Sequence, residues 1–513
     1  MVGVEILAKR LHPSNLTELA ADVSRLHYPR EQLKTGIVHL GLGAFVRAHM
    51  MAVNEAAIHA RQDLCWGIVG VSLRHPDTRD ALLPQDGLYT LALRDMDAQG
   101  CAQQRLHVLG CLRQILVAPE NPASVIDAIV APDTHIVSLT VTEKGYCHHP
   151  SQGTLQWDHP DIVHDLQHPE TPHSAIGFLV RGLQRRYLTH ALPLTLLSLD
   201  NLPSNGNILS TLVLSFAQKL DANLAKWIKA TCTFPNSMVD RIVPKTTDFD
   251  RAEVALALGL QDAWPVVAET FCQWVIEDRF ASERPAWELG GARFVDSAAA
   301  WETLKLRMVN GTHSAIAYLG ALAGWHTVDQ AMKQPMLVKF LDGLMREEIE
   351  ATLPELPDLD IQAYRYSLLA RFTNTALAHR TQQIAMDGSQ KIPQRWLNTI
   401  KDLQAQKKSY VNLALCLAAW IQYLGGVDEL GNTYSIQDPL NDLLQQTLAD
   451  AARQASANLS PYHLALRQTE ALFDVKQIFN EMAHDTDLIA AVAQQLDHLR
   501  NVGIKQALST AAS

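Results

Sequence analysis

Four short apolar runs constrain the fold of this chain more than any other feature. They are rich in Val, Ile and Leu, they are separated by helical patterns, and they cover residues 36–41, 66–73, 135–142 and 192–199. Runs that are apolar throughout are typical of strands buried on both faces of a sheet. Strands that alternate with helices predict a parallel, doubly wound sheet. The N-terminal half is therefore predicted to be an α/β, Rossmann-like domain.

The second half of the chain has a different pattern. From about Asp296, Leu, Ala and Gln recur at helical spacing, for example over residues 338–352, 361–372, 412–424 and 486–499. This spacing predicts a mostly α-helical C-terminal domain. We expect a nucleotide-binding Rossmann-type domain over residues 1–295 and a helical substrate and catalytic domain over residues 296–513.

Charge and cysteine usage exclude several classes of partner. The chain has 513 residues and a net charge of −11, which argues against nucleic acid and anionic membranes. The longest apolar stretch, residues 411–426, contains Asn412 and Gln422 and is short for a membrane span. The seven cysteines include no CxxC pair, which indicates reduced thiols. We expect a cytoplasmic protein that acts on a small molecule and has no obligate protein partner.

A glycine turn follows the first predicted strand. Gly41 and Gly43 allow a tight turn and the close approach of a pyrophosphate to backbone N–H groups. Val46 replaces the third glycine of the usual fingerprint, so an ordinary strand–helix turn is the alternative. The second strand ends without a carboxylate, and Arg74 beyond it could contact a 2′-phosphate or be a solvated charge. The predicted cofactor is NAD, with NADP left open.

The segment from Lys305 to His313 places an amine, an amide and an imidazole close together. At about 100° per residue, Asn310 lies about 140° round an α-helix from Lys305, and His313 about 80°, so all three can face one cleft. A lysine can exchange a proton with an oxygen that the amide and the imidazole hold. A solvated lysine is the alternative, but Glu302 lies three residues earlier. Such a set predicts a ketone/alcohol redox enzyme without a metal.

Other polar clusters are less specific. Asp240 and Arg241 could be a substrate-pocket pair or a structural ion pair. Several histidines and Cys147 lie in a Pro-rich stretch, but no HExxH or cysteine-based ligand motif accompanies them. They are predicted to lie in surface loops, and no metal site is predicted.

Taken together, the motifs resemble those of the polyol-specific long-chain dehydrogenase family, which contains mannitol 2-dehydrogenases and fructuronate reductases. They cover residues 37–49, 142–146, 200–203, 238–242, 305–313 and 385–394. The resemblance implies a zinc-independent mechanism with Lys305 as the general acid/base. It further implies an oxyanion hole of Asn201 and Asn310, substrate orientation by His313, and proton relay by Glu302.

The resemblance also implies the residues that bind the two ligands. Those expected at the cofactor, together with Arg74, are Gly41, Gly43, Phe45, Arg47 and Glu143. Those expected at the substrate are Asp240 and Lys391. From charge alone, Arg380 or Lys391 could pair with a substrate carboxylate.

The substrate is predicted from one further position. Gln383 stands where family members that act on mannitol can carry arginine, and residues 379–391 look closer to the uronate reductases. We therefore predict an NAD(P)-dependent reductase of a hexuronate ketone, with D-fructuronate to D-mannonate as the best choice. One alternative is a mannitol 2-dehydrogenase or related polyol dehydrogenase, acting on mannitol or arabinitol. The other is a non-catalytic, nucleotide-binding regulatory protein on the same fold.

Overall fold

The computed structural model describes residues 9–97, 101–149, 153–356, 359–375, 379–454 and 459–511. The chain divides into two compact units, Met1–Glu302 and Thr303–Ser513. The division lies a few residues beyond the domain boundary expected from the sequence.

A five-stranded parallel sheet forms the centre of the first unit. The strands of this unit are β1 (Thr35–Leu40), β2 (Gly67–Ser72), β3 (Tyr89–Met96), β4 (Ala102–Leu109), β5 (Leu112–Val117), β6 (Ile136–Leu139), β7 (His148–His149), β8 (Thr154–Leu155), β9 (Thr195–Ser198), β10 (Ser237–Asp240), β11 (Val266–Glu269), β12 (Gln273–Glu277) and β13 (Arg293–Val295). The central sheet has the order β5–β2–β1–β6–β9, with every pair parallel. This is the strand order of a Rossmann fold, and it reverses between β1 and β6.

The four predicted strands are confirmed as β1, β2, β6 and β9. Every residue of β2, β6 and β9 is buried, as expected of strands covered on both faces. Among the described residues, two three-stranded sheets have the orders β10–β12–β13 and β11–β3–β4, and β7 pairs with β8 in a two-stranded sheet. The helices are α1 (Ala44–Ala48), α2 (Met50–Arg61), α3 (Asp77–Leu82), α4 (Pro122–Val130), α5 (Pro160–Gln167), α6 (Ala175–Thr189), α7 (Asn205–Leu220), α8 (Ala222–Thr231), α9 (Asp248–Leu258) and α10 (Ala299–Leu304).

The second unit is helical, as predicted. Its α-helices are α11 (Thr312–Leu322), α12 (Val328–Met332), α13 (Pro335–Gly343), α14 (Ile361–Phe372), α15 (Thr381–Ala385), α16 (Gly388–Ile392), α17 (Asn398–Ala405), α18 (Val411–Tyr423), α19 (Asn441–Arg453), α20 (Pro461–Phe473), α21 (Lys476–Phe479), α22 (Thr486–Val502) and α23 (Ile504–Ala511). In the described part of this unit, π-helices cover Lys305–Gly311, Leu344–Ile349 and Pro393–Leu397.

The longest apolar stretch of the sequence forms α18. This helix is buried along nearly its whole length, which explains why it is apolar on all sides. Among the described residues, no helix is both long enough and apolar enough to span a membrane. All seven cysteines are described and are free thiols, as the sequence predicted.

Candidate active site

The predicted nucleotide turn lies where the strand order of the central sheet reverses. Gly41 follows β1 with a φ of +99°, and a Cβ placed there would lie 2.1 Å from the carbonyl oxygen of Thr140, which follows β6. Only glycine fits such a position. Gly43 has a φ of −89°, and its Cβ would meet no atom closer than 4.0 Å. The open space beside Gly43 lets a pyrophosphate approach the backbone, so the turn fits NAD.

Two other residues predicted at the cofactor surround this turn. Arg47 is 3% exposed; its Nε donates to the carbonyl of Gly43 at 3.3 Å, and its Nη1 donates to the carbonyl of Trp264 at 2.6 Å. The guanidinium therefore holds the turn from within the protein. Phe45 is half-buried and stacks on His49, with 5.0 Å between the ring centroids.

His39 is a further support that sequence reasoning missed. Its Nδ1 lies 2.8 Å from Oγ of Ser138, and its Nε2 lies 2.8 Å from Oγ1 of Thr140. Burial lowers the pKa of His39 to about 3, so the ring is neutral at physiological pH. Because its neighbours Val38 and Leu40 in β1 are apolar, this histidine was a signal that could have been used.

Arg74 lies beyond the end of β2, as expected, and most of its side chain is exposed. Its Nη2 lies 3.2 Å from Oδ2 of Asp161. The predicted contact with a 2′-phosphate would compete with this ion pair.

The buried carboxylate of Asp200 joins the carboxyl ends of β6 and β9. It accepts hydrogen bonds from the backbone N–H groups of Val141 and Thr142, both at 3.0 Å, and from the hydroxyl of Tyr146 at 2.8 Å. Thr142 has φ +62° and ψ 166°, a conformation nearly restricted to glycine. It precedes the 3-10 helix Glu143–Tyr146, which carries Glu143. Such strain persists only where the surroundings impose it, and it clusters at functional sites.

The loop after β9 carries Asn201, which is exposed. Asn205, at the start of α7, is fully buried, and its Nδ2 donates to the carbonyls of Ser198, Asp200 and Ser237 at 3.2, 3.1 and 2.8 Å. The sequence analysis assigned Asn205 no role. The structure makes it the residue that fixes the loop of Asn201.

Asp240 is the last residue of β10, and Arg241 directly follows it. Asp240 is 6% exposed. Arg241 donates from Nη1 to the carbonyl of Ala48 at 2.5 Å and from Nε to the carbonyl of Glu269 at 3.0 Å. These bonds to main-chain carbonyls favour a structural role for Arg241.

Glu302, near the end of the first unit, has a buried carboxyl group. Its Oε2 accepts a hydrogen bond from the backbone N–H of Ser204 at 2.9 Å, whereas Oε1 has no partner among the described residues. Burial and the charge of Glu277 raise the pKa of Glu302. This carboxyl group therefore keeps its proton to higher pH than an exposed one.

Lys305 and Asn310 lie in the π-helix Lys305–Gly311, which continues directly into α11. The α-helical geometry assumed from the sequence was therefore wrong for this segment. A π-helix bonds residue i to residue i+5, so Lys305 and Asn310 are one turn apart instead of about 140° round the axis. Lys305 is 5% exposed, and Asn310 is half-buried. Single π-turns are frequent at functional sites.

Two side chains from a second π-helix stabilise the first. Arg395 donates from Nη1 to the carbonyl of Asn310 at 3.2 Å, and Trp396 donates from Nε1 to the carbonyl of Gly311 at 3.0 Å. Both belong to Pro393–Leu397, where Pro393 interrupts the α-helical pattern because it has no N–H. Sequence reasoning missed Arg395 and Trp396, although Pro393 inside a helical pattern was a signal.

His313 lies in the first turn of α11 against two other rings. It stacks on Phe372 at 5.1 Å and contacts His379 edge to face at 5.2 Å, between ring centroids. Its Nε2 is buried and has no hydrogen-bond partner among the described residues. Burial, with smaller contributions from nearby cations, lowers the pKa of His313 well below its usual range. A neutral imidazole with one unpaired ring nitrogen can bind a substrate hydroxyl.

The cations predicted at the substrate differ in exposure. Lys391, in α16, donates from Nζ to the carbonyls of Ile384 and Met386 at 3.3 and 2.5 Å. Arg380 is exposed and precedes α15. Hydrogen bonds to main-chain carbonyls already hold the amine of Lys391 in place.

Comparisons with known proteins identify relatives over nearly the whole chain. Residues 35–289 match the family described as mannitol dehydrogenase Rossmann domain, and residues 297–500 match the mannitol dehydrogenase C-terminal domain. Mannitol dehydrogenase 2 of Saccharomyces cerevisiae is 38% identical over 510 residues, covering 96% of this chain and 99% of the relative.

Two solved structures are also similar. The Pseudomonas fluorescens mannitol 2-dehydrogenase, in a ternary complex with NAD and D-mannitol, is 36% identical with a TM-score of 0.88, covering 98% of this chain and 99% of that one. A substrate-free D-sorbitol dehydrogenase is 31% identical with a TM-score of 0.83, covering 97% and 100%. These matches confirm the family that the motifs indicated and the division into a Rossmann-type and a helical part. They also confirm that the chain is an oxidoreductase. None of the three relatives is a fructuronate reductase.

Proposed function

Because this chain belongs to the mannitol dehydrogenase family, we propose that it interconverts a hexitol of the mannitol type and the corresponding ketose. It is an oxidoreductase of CH–OH groups, and its cofactor is NAD. The observation that carries the proposal is the similarity over nearly the full length to a mannitol 2-dehydrogenase. We therefore prefer the polyol substrate, which was the alternative in the sequence analysis, to the hexuronate ketone predicted first.

The residues of the second unit suit the proton chemistry of this reaction. NAD, when bound, exchanges the hydride. In the direction of reduction, the ammonium group of Lys305 would donate a proton to the developing alkoxide. The amide of Asn310, one π-turn away, would donate a hydrogen bond to the same oxygen. Neutral His313 would bind a neighbouring hydroxyl through Nε2. The roles of Asn201 and Glu302 stay predictions.

A second candidate function is the reduction of a hexuronate ketone. The charges of Arg395, Arg371 and Lys391 all act on the pKa of His313, so three cations lie near this ring. Such a group of positive charges would favour a substrate with a carboxylate.

A substrate panel separates the two candidates. The purified chain would be given D-mannitol, D-sorbitol and D-arabinitol with NAD⁺, and D-fructose, fructuronate and tagaturonate with NADH or NADPH, while the absorbance of the reduced nicotinamide is followed. We expect kcat/KM for fructose to exceed that for either uronate by at least about tenfold, or about 1.4 kcal/mol of transition-state binding. Equal or faster turnover of fructuronate would overturn the polyol proposal. Tight NADH binding without any turnover would favour the regulatory alternative.

A further inference from the structure

Three potential metal ligands meet in the first unit. They are Cys147, His159 and Asp161, and their ligand atoms all lie within 4.8 Å of one another. We propose that these side chains bind a structural divalent cation of the zinc type. This proposal is independent of the function proposed above.

The three ligands come from two segments of the chain. Cys147 follows the 3-10 helix Glu143–Tyr146, is 4% exposed and has a left-handed φ of +49°. His159 is the N-cap residue of α5, and Asp161 lies in the first turn of that helix. The backbone N–H of Gln156 donates to the carbonyl of Cys147 at 2.9 Å, which already draws the segments together. A metal ion would join the strained turn to the start of α5.

The donor set suits zinc. A thiolate, an imidazole and a carboxylate are all ligands of Zn²⁺, with bonds of about 2.0–2.3 Å. Ligand atoms on one tetrahedral ion then lie about 3.5 Å apart, so the side chains here need to close by at most about 1.3 Å. Binding transfers the proton of the Cys147 thiol to solvent, and the resulting thiolate forms the bond to the metal. Hard cations such as Mg²⁺ prefer oxygen ligands alone.

Other polar side chains lie next to Asp161. Nδ1 of His173 lies 3.9 Å from Oδ1 of Asp161, beside the set of three ligands. Nη2 of Arg74 lies 3.2 Å from Oδ2, which leaves the other oxygen for the metal. His164 stacks on His173 with 3.5 Å between the ring centroids, and Nδ1 of His164 lies 3.2 Å from Oδ1 of Asp165. The stacked ring of His164 therefore packs His173 beside Asp161.

The sequence pattern did not predict this site. Cys147 and His159 are twelve positions apart, and His159 and Asp161 are two apart, a spacing that matches no regular zinc motif. The adjacent His148 and His149 form β7 and are not members of the set.

Cobalt provides a direct test. The full-length chain, without a polyhistidine tag and stripped with a chelator, would be titrated with Co²⁺. We expect a sulfur-to-cobalt charge-transfer band, one ion per chain, and displacement of the ion by Zn²⁺. Cys147→Ser should abolish the band, and the matched variant Cys65→Ser, at an exposed cysteine, should retain it. His159→Asn keeps a good N-cap residue but should weaken Co²⁺ binding by at least about tenfold.

Several results would overturn the proposal. One is a folded wild-type chain that shows no charge-transfer band, and another is a band that persists in Cys147→Ser. A third is a loss of the band in Cys65→Ser equal to that in Cys147→Ser, which would indicate adventitious binding. Should Cys147→Ser fail to fold, Asp161→Asn provides the same comparison, and unchanged Co²⁺ binding in that variant would refute the site. The cobalt spectrum requires no turnover, so its outcome is separate from that of the substrate panel.

Discussion

The variant Gly43→Ala tests whether the turn after β1 binds NAD. Gly43 has a φ of −89°, which alanine adopts easily, and a Cβ there would meet no atom closer than 4.0 Å. The fold should therefore accept the methyl group, which would occupy the space needed by the pyrophosphate. Gly41→Ala is the contrasting variant, because its φ is +99° and its Cβ would lie 2.1 Å from the carbonyl oxygen of Thr140.

The two variants should differ in stability by several kcal/mol. At Gly43, alanine restricts the unfolded chain, which stabilises by about 0.4–1 kcal/mol. Alanine is also a poorer N-cap residue than glycine, which destabilises the fold by about 0.5–1 kcal/mol. The net change in the free energy of unfolding is therefore close to zero. At Gly41, the left-handed backbone costs alanine about 1–2 kcal/mol, and the overlap with Thr140 costs about 1–3 kcal/mol more. We expect the melting temperature of Gly41→Ala to fall by at least about 2 °C.

The assay combines NAD titration with thermal unfolding. Gly43→Ala should melt close to wild type without NAD, but its dissociation constant for NAD should rise at least about tenfold, or about 1.4 kcal/mol. The stabilisation by added NAD should shrink accordingly. A folded Gly43→Ala protein that binds NAD as tightly as wild type would refute the assignment of this turn. Wild-type stability of Gly41→Ala would refute the steric argument.

Three further predictions concern the second unit. Lys305→Ala should lower kcat by at least about 100-fold. The control variant Lys333→Ala, at a mostly exposed amine, should keep a kcat within about twofold of wild type. Comparable activity of the two variants would show that Lys305 is not the general acid/base. Trp396→Phe leaves the carbonyl of Gly311 without its 3.0 Å donor, so the free energy of unfolding should fall by about 1–3 kcal/mol. The kcat should also fall, while KM for NAD stays unchanged. A reduced affinity for NAD would contradict this prediction. Burial raises the pKa of Glu348 from 4.5 in the unfolded state to about 7 in the folded state. Between these pH values the folded state binds more protons than the unfolded state, so the free energy of unfolding of the wild type declines as the pH rises. Glu348→Gln should therefore gain about 3 kcal/mol relative to wild type between pH 4.5 and 7 in denaturant melts, and a constant difference would show that the group titrates normally.

Most of the fold could be predicted from the sequence because its patterns are local. Apolar runs located β1, β2, β6 and β9 to within a few residues. Helical spacing located residues 361–372, which are the bounds of α14. Both patterns report burial of consecutive residues, and the hydrophobic effect acts on them wherever they lie in the chain.

The geometry around Lys305 could not be predicted from the sequence. The sequence places the lysine, the amide and the imidazole within nine residues, and their catalytic roles stay predictions, but it did not reveal the π-helix. Its carbonyls are satisfied by Arg395 and Trp396, and each of these bonds spans 85 positions. A local periodicity has no information about a donor so far away in the chain.

The cofactor residues illustrate the same limit. The glycines of the turn could be predicted, since a tight turn and a close approach to backbone require residues without side chains. Arg47, predicted in the same motif, is 3% exposed and donates to the carbonyl of Gly43. A motif marks which residues belong together, but it does not distinguish a side chain that supports a site from one that touches a ligand.

The sequence alone determined the α/β and helical halves, the glycine turn and the family. Composition, the spacing of hydrophobic residues and short motifs are all properties of neighbouring residues, so they can be recognised without the folded structure. Only the tertiary structure revealed the π-helix around Lys305, the Asp200 carboxylate beneath the strained Thr142, and the meeting of Cys147 with His159 and Asp161. Each of these depends on hydrogen bonds or donor atoms from segments that folding brings together. Their partners are set by three-dimensional packing, which no local pattern encodes.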